Sequence, residues 1–180
     1  MEQVTIETPA GPVHLETGRI ARQADGAVVL RHGETVLLAT AVAAAAPRPG
    51  ADFFPLTVEY RERLAAAGRI PGSYQRREGR ITDEEVLVSR LADRSIRPLF
   101  PEQFTAETQV LLSVLSADGE VSPDEWAIFA AAAALHLSDI PWKGPLAGVR
   151  VVRALGQWRA FPPRALRASA DLDLMVGLGP

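Results

Sequence analysis

The chain has 180 residues, 47% of them hydrophobic, and nineteen basic against twenty-two acidic side chains leave a net charge of −3. That length favours one domain with a sizeable core, and the apolar fraction is too high for disorder. No apolar run reaches the ~18 residues of a membrane span, and with no cysteine there is no disulfide, thiolate zinc site or cysteine nucleophile.

Residues 3–60 read as β-structure. Val4 and Ile6, then Val13 and Leu15, alternate with polar neighbours, as short half-buried strands do. Met1-Glu2-Gln3 leads straight into this pattern with no basic or apolar leader region, so no signal peptide is expected. Turn signals stand at Gly11-Pro12, Ala24-Asp25-Gly26 and Arg31-His32-Gly33-Glu34. The run Thr35 to Val42 is nearly continuously apolar, which predicts a central strand covered on both faces. Pro47 and Pro49 stop the alanine stretch after it from continuing as a helix. Phe53 to Tyr60 supplies a further strand.

Between Arg61 and Arg80 the pattern is lost. Six arginines (61, 63, 69, 76, 77 and 80) face only Glu62 and Glu78, a local +4 in an acidic chain, and Tyr74 sits among three glycines and a proline. A cationic loop carrying an aromatic ring suits a polyanion with stackable bases; a solvated surface loop is the plainer alternative. Only the clustering is informative. Of the nineteen basic residues Lys143 alone is lysine, and so general a preference for arginine fits mutational bias as well as phosphate binding.

Thr82-Asp83-Glu84-Glu85 is a capping box and predicts a helix ending at Pro98, with Leu87, Val88 and Leu91 facing inward. Arg90, Arg94 and Arg97 share a face, free to touch phosphate or to pair with Asp93. Thr108 to Ala117 predicts a strand with Val110, Leu112 and Val114 on one side. Ser122-Pro123-Asp124-Glu125 reads as a second capping box, opening a helix from Trp126 to Leu137 that is apolar all round and therefore buried. Leu146 to Val152 and Gln157 to Phe161 predict a hairpin, and Asp171 to Val176 a last strand.

Most familiar sites are missing. His14, His32 and His136 are scattered and read as surface or cap residues, and there is no nucleophile elbow, Walker loop or dinucleotide fingerprint. Asp171 and Asp173 point to one side of a strand and offer the best carboxylate pair, either for magnesium or as an ordinary exposed face.

Several segments together resemble a known family. Gly18 to Gly26, Phe53-Phe54-Pro55-Leu56-Thr57-Val58, Ile70-Pro71-Gly72, Arg77-Glu78-Gly79-Arg80, Ser89 to Arg94, Ile96-Arg97-Pro98-Leu99-Phe100-Pro101 and Ile140 to Pro145 are similar, in this order, to the first RNase PH-like domain of bacterial polynucleotide phosphorylases. The resemblance covers essentially the whole chain. It implies an α+β fold of mixed β-sheets packed on helices around a central alanine-rich helix. Residues 1–180 would form one such domain, incomplete at its C-terminal end.

The family's activity, polyribonucleotide nucleotidyltransferase, degrades RNA from the 3′ end with inorganic phosphate, releases nucleoside diphosphates and uses a divalent metal such as Mg2+. Three subunits form a cytoplasmic ring around an RNA channel, within the cell's RNA-degradation machinery. In the competent second domain two aspartates and a lysine serve the metal site; here Arg167 stands at the first aspartate, Asp173 at the second and Met175 at the lysine. Asp83 and Glu84 replace a pair of RNA-contacting arginines, and Glu120 to Asp124 lacks the phosphate-holding serine turn. The resemblance therefore implies a non-catalytic segment with no metal or catalytic residue, inactive alone. Its single-stranded RNA contacts would be Tyr74, Arg76, Arg77 and Arg80, with Gln75 departing from the family's second aromatic. A pure oligomerisation scaffold and a stand-alone phosphorolytic nuclease are the alternatives.

Overall fold

Alternating sequence makes strands, and residues 1–62 contain five of them. The computed structural model, which describes residues 1–50, 52–72, 74 and 78–180, has β1 (Glu2–Thr8), β2 (Gly11–Thr17), β3 (Gly26–His32), β4 (Thr35–Ala43) and β5 (Leu56–Glu62). A sixth strand, β6 (Thr108–Ser116), lies between β4 and β5, so the sheet runs β1-β2-β3-β4-β6-β5. Every neighbouring pair is antiparallel except β5 with β6. That parallel pair needs a crossover, and helix α1 (Asp83–Ile96) supplies it. No helix among the described residues is long and apolar enough to cross a membrane.

A smaller antiparallel sheet, ordered β8-β7-β9, is built from β7 (Ala147–Ala154), β8 (Gln157–Ala160) and β9 (Leu172–Leu178), with the short helix α3 (Arg164–Arg167) between the last two in sequence. Leu155 and Gly156 both have positive φ, 52° and 73°, closing the predicted hairpin with the left-handed pair such a two-residue turn requires. Between the two sheets runs helix α2 (Ala127–His136), packed against β3, β4 and β6 on one side and β7 on the other. Its small side chains let both sheets come close. At Gly26 on β3 an added Cβ would lie 2.0 Å from the Ala134 carbonyl oxygen, and at Gly148 on β7 it would lie 2.6 Å from the Ile128 Cβ.

Helix α1 seals the open edge of β5. Thr82 and Glu85 form both halves of the capping box, Glu85 N–H to Thr82 Oγ1 at 3.2 Å and Thr82 N–H to Glu85 Oε2 at 2.8 Å. The other Glu85 oxygen accepts the Glu62 amide at 2.9 Å, and Ser89 Oγ accepts the Tyr60 amide at 2.9 Å. Strand donors that would otherwise invite another chain are thus satisfied.

Several expectations need correction. The helix buries Glu85, Val88, Ala92 and Ile96, while Leu87 is 61% exposed and Leu91 also faces out. Polar Glu85 and Ser89 are drawn inward by the strand amides they serve, and this rotates the inner face away from Leu87. Strand β5 begins at Leu56, because Phe54 instead joins an aromatic cluster with Phe100 and Phe104, while Phe53 is exposed. Strand β4 is buried on one face only; Val36, Leu38 and Thr40 on the other are half-exposed. His32 is buried against Trp126 and is not a surface residue. The second capping box does not form: Ser122 makes no cap bond, and residues Pro123–Trp126 are a 3-10 turn before α2.

Candidate functional site

The arginine-rich loop is anchored at its base. After β5 a 3-10 turn (Leu64–Ala67) ends at Gly68, whose φ of 67° is the left-handed cap that glycine adopts without strain. On the return, Glu78 accepts the Leu64 amide at 2.8 Å and pairs with Arg63 at 2.8 Å. One carboxylate thereby ties residues 63 and 64 to residue 78. Tyr74 presents its ring wholly to solvent, at 102% relative exposure. Arg80 is exposed and makes no ion pair among the described residues. Arg76, Arg77 and Gln75 lie outside the described residues.

The local charge of +4 is partly spent at home. Arg61 lies 3.8 Å from both Glu59 and Glu85, and Arg63 is held by Glu78. On α1 the expected arginine face divides likewise. Arg97 grips Asp93 with two bonds, at 3.1 and 2.7 Å, and donates to the Phe54 and Leu56 carbonyls at 3.2 Å each, so it is structural. Arg90 and Arg94 stay exposed.

A second cluster forms where β7, β9, α3 and the entry to α2 meet. Arg150 donates to both oxygens of Asp173, at 2.6 and 2.7 Å, and to Asp124 at 2.5 Å. Arg167 donates to Ser122 Oγ at 2.7 Å and stands 3.6 Å from Asp124 and from Asp173, and 4.0 Å from Glu125. Asp171 is held separately by Arg153, at 2.7 Å. The two aspartates singled out in the sequence are thus each claimed by an arginine. Arg150, Asp124 and Glu125 were not anticipated as part of this cluster, although the charge complement of Arg150 and Arg153 to Asp171 and Asp173 was a usable signal.

Residues 10–141 match the family model described as 3′ exoribonuclease family, domain 1. The chain belongs to the 3′ exoribonuclease family. It is 55% identical over 174 residues to the polyribonucleotide nucleotidyltransferase of Anaeromyxobacter dehalogenans (strain 2CP-C), which covers 97% of this chain and 24% of that protein. The enzyme of the same name from Bradyrhizobium sp. (strain ORS 278) is 56% identical over 173 residues, 96% of this chain and 24% of the relative. The chain therefore spans about a quarter of the length of these relatives. Among solved structures, the Archaeoglobus fulgidus exosome with RNA bound to the active site superposes with a TM-score of 0.69 at 16% identity, covering 93% of this chain and 72% of that one. That likeness shows the RNase PH fold and its α+β class.

For a member of the 3′ exoribonuclease family, the cluster around Arg167 does not suit Mg2+. The oxygens that would have to turn toward a cation already face guanidinium groups, and Asp173 is held well below the usual carboxylate range by its bonds to Arg150. Among the described residues, no group of three or more His, Asp or Glu side chains is placed to hold a metal ion.

Glu125 behaves differently from the other acids. It is 2% exposed, and burial, reinforced by Asp124, raises its carboxyl from an ordinary 4.5 to about 7 against the opposing pull of Arg150 and Arg167. A carboxyl whose pKa rises on folding stabilises the fold fully below its unfolded value and loses that contribution as pH climbs through 7. Glutamine does not titrate. The Glu125→Gln chain should therefore gain about 3 kcal/mol of stability relative to the parent between about pH 4.5 and 7, and that gain should stay constant above. Denaturant unfolding of both chains across that range checks it; parallel pH profiles would refute it.

Proposed function

We propose that residues 1–180 are the first RNase PH-like domain of a phosphate-dependent 3′-to-5′ exoribonuclease, a polyribonucleotide nucleotidyltransferase that releases nucleoside diphosphates. In this reading the domain helps build a homotrimeric cytoplasmic ring and guides single-stranded RNA through its channel for mRNA degradation. Phosphorolysis, with inorganic phosphate and Mg2+, takes place in another domain. One observation carries the role of this segment: a cationic loop tied at its base by Glu78 offers the Tyr74 ring wholly to solvent, and Arg80 is exposed as well. A ring so placed can stack on any base, and arginines grip backbone phosphate whatever the sequence.

The test uses the assembled enzyme with Arg76 and Arg77 both changed to alanine. Affinity for single-stranded RNA should fall by about tenfold or more. The slope of log affinity against log salt should become shallower by about 1.4, the value for two lost phosphate contacts. Unchanged affinity and slope would remove the loop from the RNA path.

A scaffold reading draws on Arg61, Arg63 and Arg97, all engaged in pairs within the chain. Crosslinking of bound RNA to Tyr74 separates the two, because a pure scaffold leaves that ring unlabelled.

A further inference from the structure

Away from the arginine loop, a cleft of about 560 Å³ opens beside the start of α2 and the β7–β8 hairpin. Two buried polar side chains line it without their full complement of partners. His32, 6% exposed, contacts the Ala10 carbonyl through Nε2 at 3.1 Å. A carbonyl can only accept, so Nε2 carries the proton and the unpartnered Nδ1 is a bare acceptor in the neutral ring. Glu125, 2% exposed, has no hydrogen bond to its side chain among the described residues, and its Oε1 has only the distant Arg167 for a cation. The Nδ1 of the neutral His32 ring and the ionised Glu125 carboxylate are both acceptors, and both lack a donor. Buried acceptors cost folding free energy unless a donor reaches them.

The rest of the lining narrows the occupant. Phe161, stacked on Trp126 with ring centroids 4.7 Å apart, and the exposed Trp158 give the cleft flat aromatic surfaces. Arg159 is the one cation among its lining residues, and Glu120 adds another carboxylate. Such a lining favours an uncharged, planar, donor-rich group over an anion. The volume falls within the range of small-molecule sites. A carboxylate presents two parallel acceptors, which match two adjacent N–H groups on one edge of a flat ring.

We propose that this cleft binds a purine of the guanine type, its N1–H and exocyclic amine on Glu125, a further donor on His32, and its ring against the aromatic wall. Guanosine is the probe, because a neutral nucleoside keeps the loop arginines out of the measurement. Titrated into the full chain at about pH 8, where Glu125 is ionised, it should give saturable binding by calorimetry and by tryptophan fluorescence. Adenosine has a bare nitrogen where guanosine has N1–H, and should bind at least about tenfold more weakly. Glu125→Gln, which keeps the shape but puts a donor on the recognition edge, should lose about tenfold or more. Trp158→Ala, on the exposed rim, should weaken binding with folding preserved. Lack of saturation up to the solubility of guanosine, equal binding of adenosine, or wild-type affinity in folded Glu125→Gln would each overturn the proposal, leaving a water-filled cleft. RNA affinity of the Arg76/Arg77 variant is a separate readout, so this site and the loop stand or fall independently.

Discussion

Replacing Arg150 with alanine should destabilise the chain by about 3–5 kcal/mol, the cost of removing one partner from a buried ion cluster. Its side chain is 12% exposed and supplies three hydrogen bonds, two to Asp173 and one to Asp124. Without it the two aspartates, on different segments, keep only Arg167 at 3.6 Å, and the smaller sheet loses its charged tie to the entry of α2. Arg150→Lys should fall between, since a lysine keeps the charge but not the two-pronged fork. The pH dependence follows from Asp173, whose carboxyl Arg150 holds below its ordinary 3.8. A lowered pKa stabilises above the unfolded value and loses its effect as pH falls. The gap between parent and Arg150→Ala should therefore narrow below about pH 4. Denaturant midpoints measured at neutral and acid pH decide the matter; a difference under about 1 kcal/mol at neutral pH would mean the cluster is solvated.

Gly26→Ala should cost about 3 kcal/mol or more, since one methyl group has nowhere to go. Its Cβ would fall 2.0 Å from the Ala134 carbonyl oxygen and 2.9 Å from the Ser138 Cβ, and backbone on the last turn of a central helix cannot step aside cheaply. Gly72→Ala is the matched control: among the described residues no atom beyond its chain neighbours lies within 4 Å of its new Cβ, and stability should stay within about 0.5 kcal/mol. For a chain of this size the Gly26 variant should melt roughly 10 °C lower by calorimetry. Equal melting temperatures for the two variants would show that α2 is free to move off the sheet.

Most of the scaffold could be read from local pattern. Alternation placed the strands, Thr82 and Glu85 marked the start of α1, and the uninterrupted apolar run from Trp126 announced a buried helix. Leu155-Gly156 was legible as a turn. Errors arose where a side chain answered to something distant in sequence. Leu87 fits an inner helical face until Glu85 and Ser89 are needed by the amides of β5. Ser122 reads as a helix cap until Arg167, 45 residues later, takes its hydroxyl. His32 looks like a turn residue until Trp126 packs over it.

The candidate sites divide in the same way. Sequence by itself determined the family resemblance and the cationic character of residues 61–80, because these are matters of residue identity and order. Only the tertiary structure decided which arginines are spent on internal pairs, that Glu78 closes the loop at its base, and that Glu125 and His32 line one cleft. Those facts depend on distances between segments tens of residues apart. Burial and chain crossing set such distances, and no local pattern encodes them.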